Sequence, residues 1–125
     1  MRRLKNKKIM IVDDDEEFLN ELQDTFVSSG YDVNAISDPI LALDTAKQIN
    51  PDAILLDLQM PKMSGFELAG KLRRFSESKR VPIIAMSASF AEEEHSLLMR
   101  LCGIKNYLKK PFDPLQAIRH VEAAL

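Results

Sequence analysis

No excess of positive charge is available in these 125 residues, where 17 Lys and Arg stand against 19 Asp and Glu for a formal charge of -2. A segment so balanced has no general grip on nucleic acid phosphates, and direct nucleic acid binding is set aside. Cysteine occurs once, at Cys102, which excludes an internal disulfide and fits a reducing, cytoplasmic compartment. Long apolar runs are missing as well. None approaches the roughly 20 residues of a membrane helix. The apolar run behind the basic start Met1 to Lys8 stops at Val12 against three aspartates, so it is no signal peptide. Low-complexity segments and Gly/Pro/Ser linkers are absent, so 1–125 reads as a single domain, with 1–7 as a basic flexible leader. Its 46% hydrophobic content supports one core and no second domain.

What is present is an alternation of element types. Ile9 to Val12, Ala53 to Leu56 and Val81 to Met86 are unbroken apolar runs, the pattern of strands buried on both faces. Tyr31 to Ile36 and Ile104 to Leu108 are more polar and are expected nearer the sheet edges. Helix starts fall between them. Ser64-x-x-Glu67 and Ser89-x-x-Glu92 have capping-box spacing, while Asp38-Pro39 and Asp113-Pro114 set a capping carboxylate before a proline at the first helical position. A further helix is predicted from Glu16 to Ser29, with Phe18, Leu22 and Phe26 on one stripe and Gly30 as its stop; Gly103 ends another. The implied architecture is a doubly wound α/β domain: a five-stranded parallel sheet with helices on both faces, joined by right-handed crossovers.

In such a sheet, ligands bind beyond the carboxyl ends of the strands. The residues expected there are Asp13, Asp14 and Asp15 after the first strand, Asp57 at the end of the third, Ser87 at the end of the fourth and Lys110 after the fifth. Carboxylates about 4 Å apart repel by roughly 1 to 4 kcal/mol per pair, depending on the local dielectric. Lys110 and a bound divalent cation would balance Asp13, Asp14 and Asp57. A small set of oxygen ligands suits Mg2+, which keeps waters and leaves room for a phosphoryl oxygen. A carboxylate can attack phosphorus to give an acyl phosphate, and Asp57, central on the edge, is the expected nucleophile. Taken alone, an acidic run at a helix start is ordinary dipole chemistry, and Asp15 is the member of the triplet best read as structural. His95 and His120 have no ligand partners at helical spacing and receive no role. Met60, Met63, Met86 and Met99 read as packing.

Four strings carry a specific resemblance: I-V-D-D-D at 11–15, L-L-D-L-Q-M-P-K-M-S-G at 55–65, I-I-A-M-S-A at 83–88 and Y-L-K-K-P-F at 107–112. In order, spacing and strand context the chain resembles the receiver domains of two-component response regulators, which have a flavodoxin-like fold. The resemblance implies that Asp57 accepts a phosphoryl group from a histidine kinase or phosphotransfer protein. It implies Mg2+ held by Asp13, Asp14, Asp57 and the backbone carbonyl of Gln59. Ser87 and Lys110 would contact the phosphoryl group, with Lys110 rather than Lys109 as the match because it directly precedes Pro111. Ser87 and Tyr107 would form the switch, Tyr107 changing rotamer, and Ser87 stands where threonine is commoner. The output would be a protein target or effector domain, reached in some cases through a phosphorylation-dependent dimer, and the acceptor would not be a turnover enzyme. Met1 and the absence of trailing linker residues favour a stand-alone receiver, an excised one being the alternative.

Other chemistries fit less well. A phosphatase of the haloacid dehalogenase type needs a second aspartate two residues after the nucleophile, where Gln59 stands. A flavodoxin-like FMN carrier would place its phosphate against Asp13 to Asp15, which repel it. A receiver that only docks proteins would not need the full acidic and basic set, and a phosphorylation assay separates that case.

Overall fold

The computed structural model describes residues 6–74, 80–89 and 92–125, with side chains left undescribed over 92–95. The leader expected over 1–7 therefore falls mostly outside the described residues, as do positions 90 and 91 and the Glu92 side chain of the Ser89-x-x-Glu92 box, and the side chain of His95. Ten elements alternate along the chain: β1 (Lys8–Val12), α1 (Glu16–Ser28), β2 (Asp32–Ile36), α2 (Pro39–Ile49), β3 (Ala53–Asp57), α3 (Gly65–Leu72), β4 (Ile83–Ser87), α4 (Glu92–Leu101), β5 (Asn106–Lys109) and α5 (Pro114–Ala124). The five strands form one parallel sheet in the order β2-β1-β3-β4-β5.

Strand periodicity divides the core in two. Met10, Val12, Ile54, Leu56, Ile83 and Ala85 face a cluster with Ala42 and Ala46 of α2, Leu68 and Leu72 of α3 and Met99 of α4. Their neighbours in sequence, Ile9, Ile11, Ala53, Leu55, Ile84 and Met86, face Leu19, Leu22 and Phe26 of α1 and Ala117 and Val121 of α5. Both faces of the sheet are covered, which is why the central strands read as unbroken apolar runs. Each fully buried Leu or Ile contributes about 1.5–3 kcal/mol relative to exposure.

Helix starts follow the expected caps. Asp38 accepts from the Ile40 N–H at 3.0 Å and Ser64 from the Glu67 N–H at 3.1 Å. Asp113 accepts from the Leu115 N–H, and Gln116 reaches back to the Asp113 N–H, each at 3.0 Å, closing a capping box. Helix stops explain the main departures from the sequence reading. Gly30 and Gly103 adopt φ 95° and 67°. The next residue then turns its N–H back into the helix: Tyr31 N–H to Phe26 O at 3.2 Å, and Ile104 N–H to Met99 O at 2.8 Å. Tyr31 and Ile104 are thus the closing residues of left-handed helix caps, buried against the turn they close, and they do not begin strands. The α1 stripe is also shifted. Leu19, Leu22 and Phe26 are buried while Phe18 lies at the margin, half-buried. Among the described residues no helix is long and apolar enough to cross a membrane.

Candidate functional site

The strand order reverses direction between β1 and β3, so the loops leaving their carboxyl ends diverge and open a crevice. Asp13 follows β1 and Asp57 ends β3, both buried, while Asp14 beside them is exposed. One carboxylate oxygen from each of Asp13, Asp14 and Asp57 lies within 4.8 Å of the other two. Lys110, in the loop after β5, places Nζ 2.7 Å from Asp13 Oδ2 and 3.7 Å from Asp57 Oδ1. The Lys110 backbone N–H is anchored to Ser87 O at 2.8 Å, which ties this loop to the end of β4.

Local hydrogen bonds orient the acids. Asp13 Oδ1 accepts from the Asp15 N–H at 3.0 Å, and Asp57 Oδ1 accepts from the Gln59 N–H at 3.1 Å. Asp15 itself caps α1, accepting from the Phe18 N–H at 3.2 Å, so its role is structural as its position suggested. Burial, then the charge of Asp13, pushes the Asp57 carboxyl from 3.8 up to about 7, helped by a hydrogen bond with Asp14. The Gln59 N–H and the Lys110 charge pull the other way and do not prevail. Three acids against one ammonium leave net negative charge in the crevice, two of the acids being buried. That donor set, all oxygen and under-neutralised, fits a divalent cation.

Ser87 ends β4 and is buried. Its Oγ donates to Ser89 O at 2.7 Å, accepts from the Ser89 N–H at 3.1 Å and lies 3.3 Å from Gln59 Oε1. A hydroxyl has one proton, and the shorter contact takes it, so Gln59 Oε1 is the weaker of the two acceptors.

Residues 9–122 match the response regulator receiver domain. The chain belongs to that family. Similar proteins include the alkaline phosphatase synthesis transcriptional regulatory protein PhoP of Bacillus subtilis, 38% identical over 120 residues, 96% of this chain and 49% of PhoP. The chain thus spans about half the length of that relative. Among solved structures it is similar to the chemotaxis protein CheY4 of Vibrio cholerae, with TM-score 0.91 and 28% identity over 96% of this chain and 99% of that one. The receiver domain of the sensor histidine kinase PA1611 of Pseudomonas aeruginosa PAO1 gives TM-score 0.85 and 28% identity over 95% of this chain and 97% of its own. That structure has a magnesium ion coordinated in its active site cleft.

The receiver fold brings Asp13, Asp14, Asp57 and Lys110 into one cluster, with Ser87 and Gln59 on its β4 side. Tyr107 stands apart on β5, opposite Ala85, with 53% of its surface exposed. Two residues near the site escaped sequence reasoning. The Phe18 ring lies under Lys110, with Nζ 4.5 Å from its centroid, and Phe112 meets that ring edge-on at 5.5 Å and 85°. In sequence, Phe18 reads as part of the apolar stripe of its helix, and Phe112 receives no role. The available signal was proximity: Phe18 sits in the first turn after the acidic run, and Phe112 two residues after Lys110.

Proposed function

We propose that this receiver accepts a phosphoryl group on Asp57 from a histidine kinase or phosphotransfer protein, in a Mg2+-dependent reaction, and thereby switches a protein-binding surface. The observation that carries it is the buried Asp57 carboxylate, flanked by Asp13 and Asp14 within 4.8 Å and by Lys110 Nζ at 3.7 Å. A carboxylate oxygen of Asp57 attacks phosphorus, the bond from phosphorus to the donor breaks, and the donor leaves with its electron pair. Asp13, Asp14, Asp57 and the Gln59 carbonyl would hold Mg2+, which when bound supplies two positive charges and keeps Asp57 ionised. Lys110 meets one oxygen of the transferred group and Ser87 another, exchanging its bond to Ser89 for the new acceptor. Each Asp57 is modified and later cleared on the protein itself, so the domain is a switch and turns over no external substrate. Tyr107 responds to the Ser87 shift. The domain is taken to span 1–125 and to act in the cytoplasm on a target protein or effector domain, with a phosphorylated dimer as one route.

The test is incubation with acetyl phosphate and Mg2+ followed by mass mapping. Label is expected on Asp57 alone, in a base-labile bond. Phosphate on Ser87 or Ser89 in its place would overturn the mechanism.

A further inference from the structure

We propose that Phe18 is a positioning residue for phosphoryl transfer, its ring face holding the Lys110 ammonium between Asp13 and Asp57. The proposal rests on the reading of Lys110 as the cation that meets the phosphoryl group. Among the described residues Lys110 Nζ meets Asp13 Oδ2 at 2.7 Å, Asp57 Oδ1 at 3.7 Å and the Phe18 ring, 4.5 Å away at its centroid. Lysine carries its charge on a flexible four-carbon stem with rotamer freedom to lose, and attraction to carboxylates alone does not fix where along the crevice it rests. An aromatic face adds a second constraint, because its negative quadrupole attracts an ammonium over a broad area without demanding one hydrogen-bond direction.

That breadth suits a group that must move. Lys110 pairs with Asp13 before transfer and must turn toward the incoming phosphoryl oxygen without swinging into solvent, from which its side chain is only 20% exposed. Sliding over the ring permits the short shift and opposes the long one. The ring is itself braced, since Phe112 packs against it edge-on at 5.5 Å and belongs to the loop that carries Lys110. Phe18 packs in part against the core, yet core filling alone does not require its ring to face the Lys110 ammonium. Leu19, Leu22 and Phe26 already form the buried stripe of α1, and Phe18 lies beside it, half-buried and within reach of Lys110.

Five proteins decide the matter: wild type, Phe18→Leu, Phe18→Tyr, Lys110→Ala and Phe18→Leu in the Lys110→Ala background. Each is phosphorylated by acetyl phosphate at saturating Mg2+. A cation–π contact of ordinary strength predicts that Phe18→Leu slows labelling of Asp57 about three- to thirtyfold, with Mg2+ affinity unchanged. Phe18→Tyr should restore the rate, and Phe18→Leu should add nothing once Lys110 is alanine. Equal slowing with and without Lys110 would mean a structural role and overturn the proposal, as would a normal rate in Phe18→Leu. No label on wild-type Asp57 removes the functional reading and the proposal with it. Independently of any variant, the ε-methylene protons of Lys110 in wild type should resonate upfield, shifted by the ring; protons at ordinary positions would equally overturn it.

Discussion

At the scale of single residues, Asp57 is held in a place that disfavours its own charge. Its folded-state pKa, pushed from 3.8 up to about 7 by burial and by Asp13, exceeds the unfolded value. Between those values the native state therefore binds a proton that the unfolded chain has released, and stability falls as pH rises. The penalty is nearly absent below the unfolded pKa and reaches its full size once pH passes the folded one. In metal-free buffer the Asp57→Asn variant, which cannot ionise, should gain on wild type by about 1–3 kcal/mol between pH 5 and pH 8. Urea melts at the two pH values in EDTA measure this, and a gap that does not widen would refute the assigned environment. Added Mg2+ should narrow the gap at pH 8, because only the ionised acid rewards a cation. Asp14 is exposed, so Asp14→Asn should fold normally while binding Mg2+ at least tenfold more weakly. Optical titration with Mg2+ reads the loss, and unchanged affinity in both this variant and Asp57→Asn would remove the metal site from this crevice.

At the scale of elements, the position of Asp57 depends on how closely α3 approaches the end of β3. Gly65 opens α3 with its N–H on Leu58 O at 3.1 Å, and a Cβ at that position would lie 2.2 Å from Asp57 O and 2.7 Å from Leu58 Cα. Both obstacles are backbone and cannot rotate aside. Gly65→Ala should cost about 2–3 kcal/mol of stability, seen in urea melts, and should also weaken Mg2+ binding because the Asp57 backbone must yield. Unaltered stability would contradict this packing. A second device sits at the other end of α3, where Arg73 donates to Val81 O, Cys102 O and Gly103 O at 2.6, 2.8 and 3.2 Å, joining α3 to the entry of β4 and the exit of α4. The sequence made the elements legible because burial on both sheet faces leaves unbroken apolar runs and because Asp38, Ser64 and Asp113 announce caps. It was silent on Arg73 and Gly65, whose roles lie in contacts between segments. Tyr31 and Ile104 misled because a helix-capping apolar residue has the same composition as the first residue of a strand. Val81 misled likewise, since Pro82 cannot donate to a ladder and β4 starts only at Ile83.

At the scale of the whole molecule, the acidic and basic positions were readable because parallel topology forces the strand ends to converge. Asp13, Asp57, Ser87 and Lys110 come together from one rule about sheets. Phe18 and Gln59 were not readable as neighbours of Lys110 and Ser87, since side-chain direction beyond a strand end is set by loops. The same convergence makes a long-range switch physically reasonable. Phosphate on Asp57 adds charge that Ser87 and Lys110 can meet, and both belong to segments that lead outward: Ser87 into the loop before α4, Lys110 along β5. That end of the sheet carries exposed Leu97 and Leu101 on α4, Tyr107 on β5 and Leu115 on α5, with the exposed cations Lys105 and Lys109 among them. The face mixes exposed apolar and basic groups, so a partner should bury Leu101 and Tyr107 and answer the lysines with acids. If Ser87 turns from Ser89 toward the phosphoryl group, the loop moves inward and Tyr107 gains room to leave solvent. Amide NMR with beryllofluoride, which stands in for the phosphoryl group, should then shift Ser87, Ser89, Tyr107 and Leu115 together, with Asn50 and Ser28 at the opposite end unmoved. Shifts limited to the neighbours of Asp57 would leave phosphorylation intact and refute the coupling, because Ser87 and Lys110 are the links by which the acid would reach the Tyr107 side of β5.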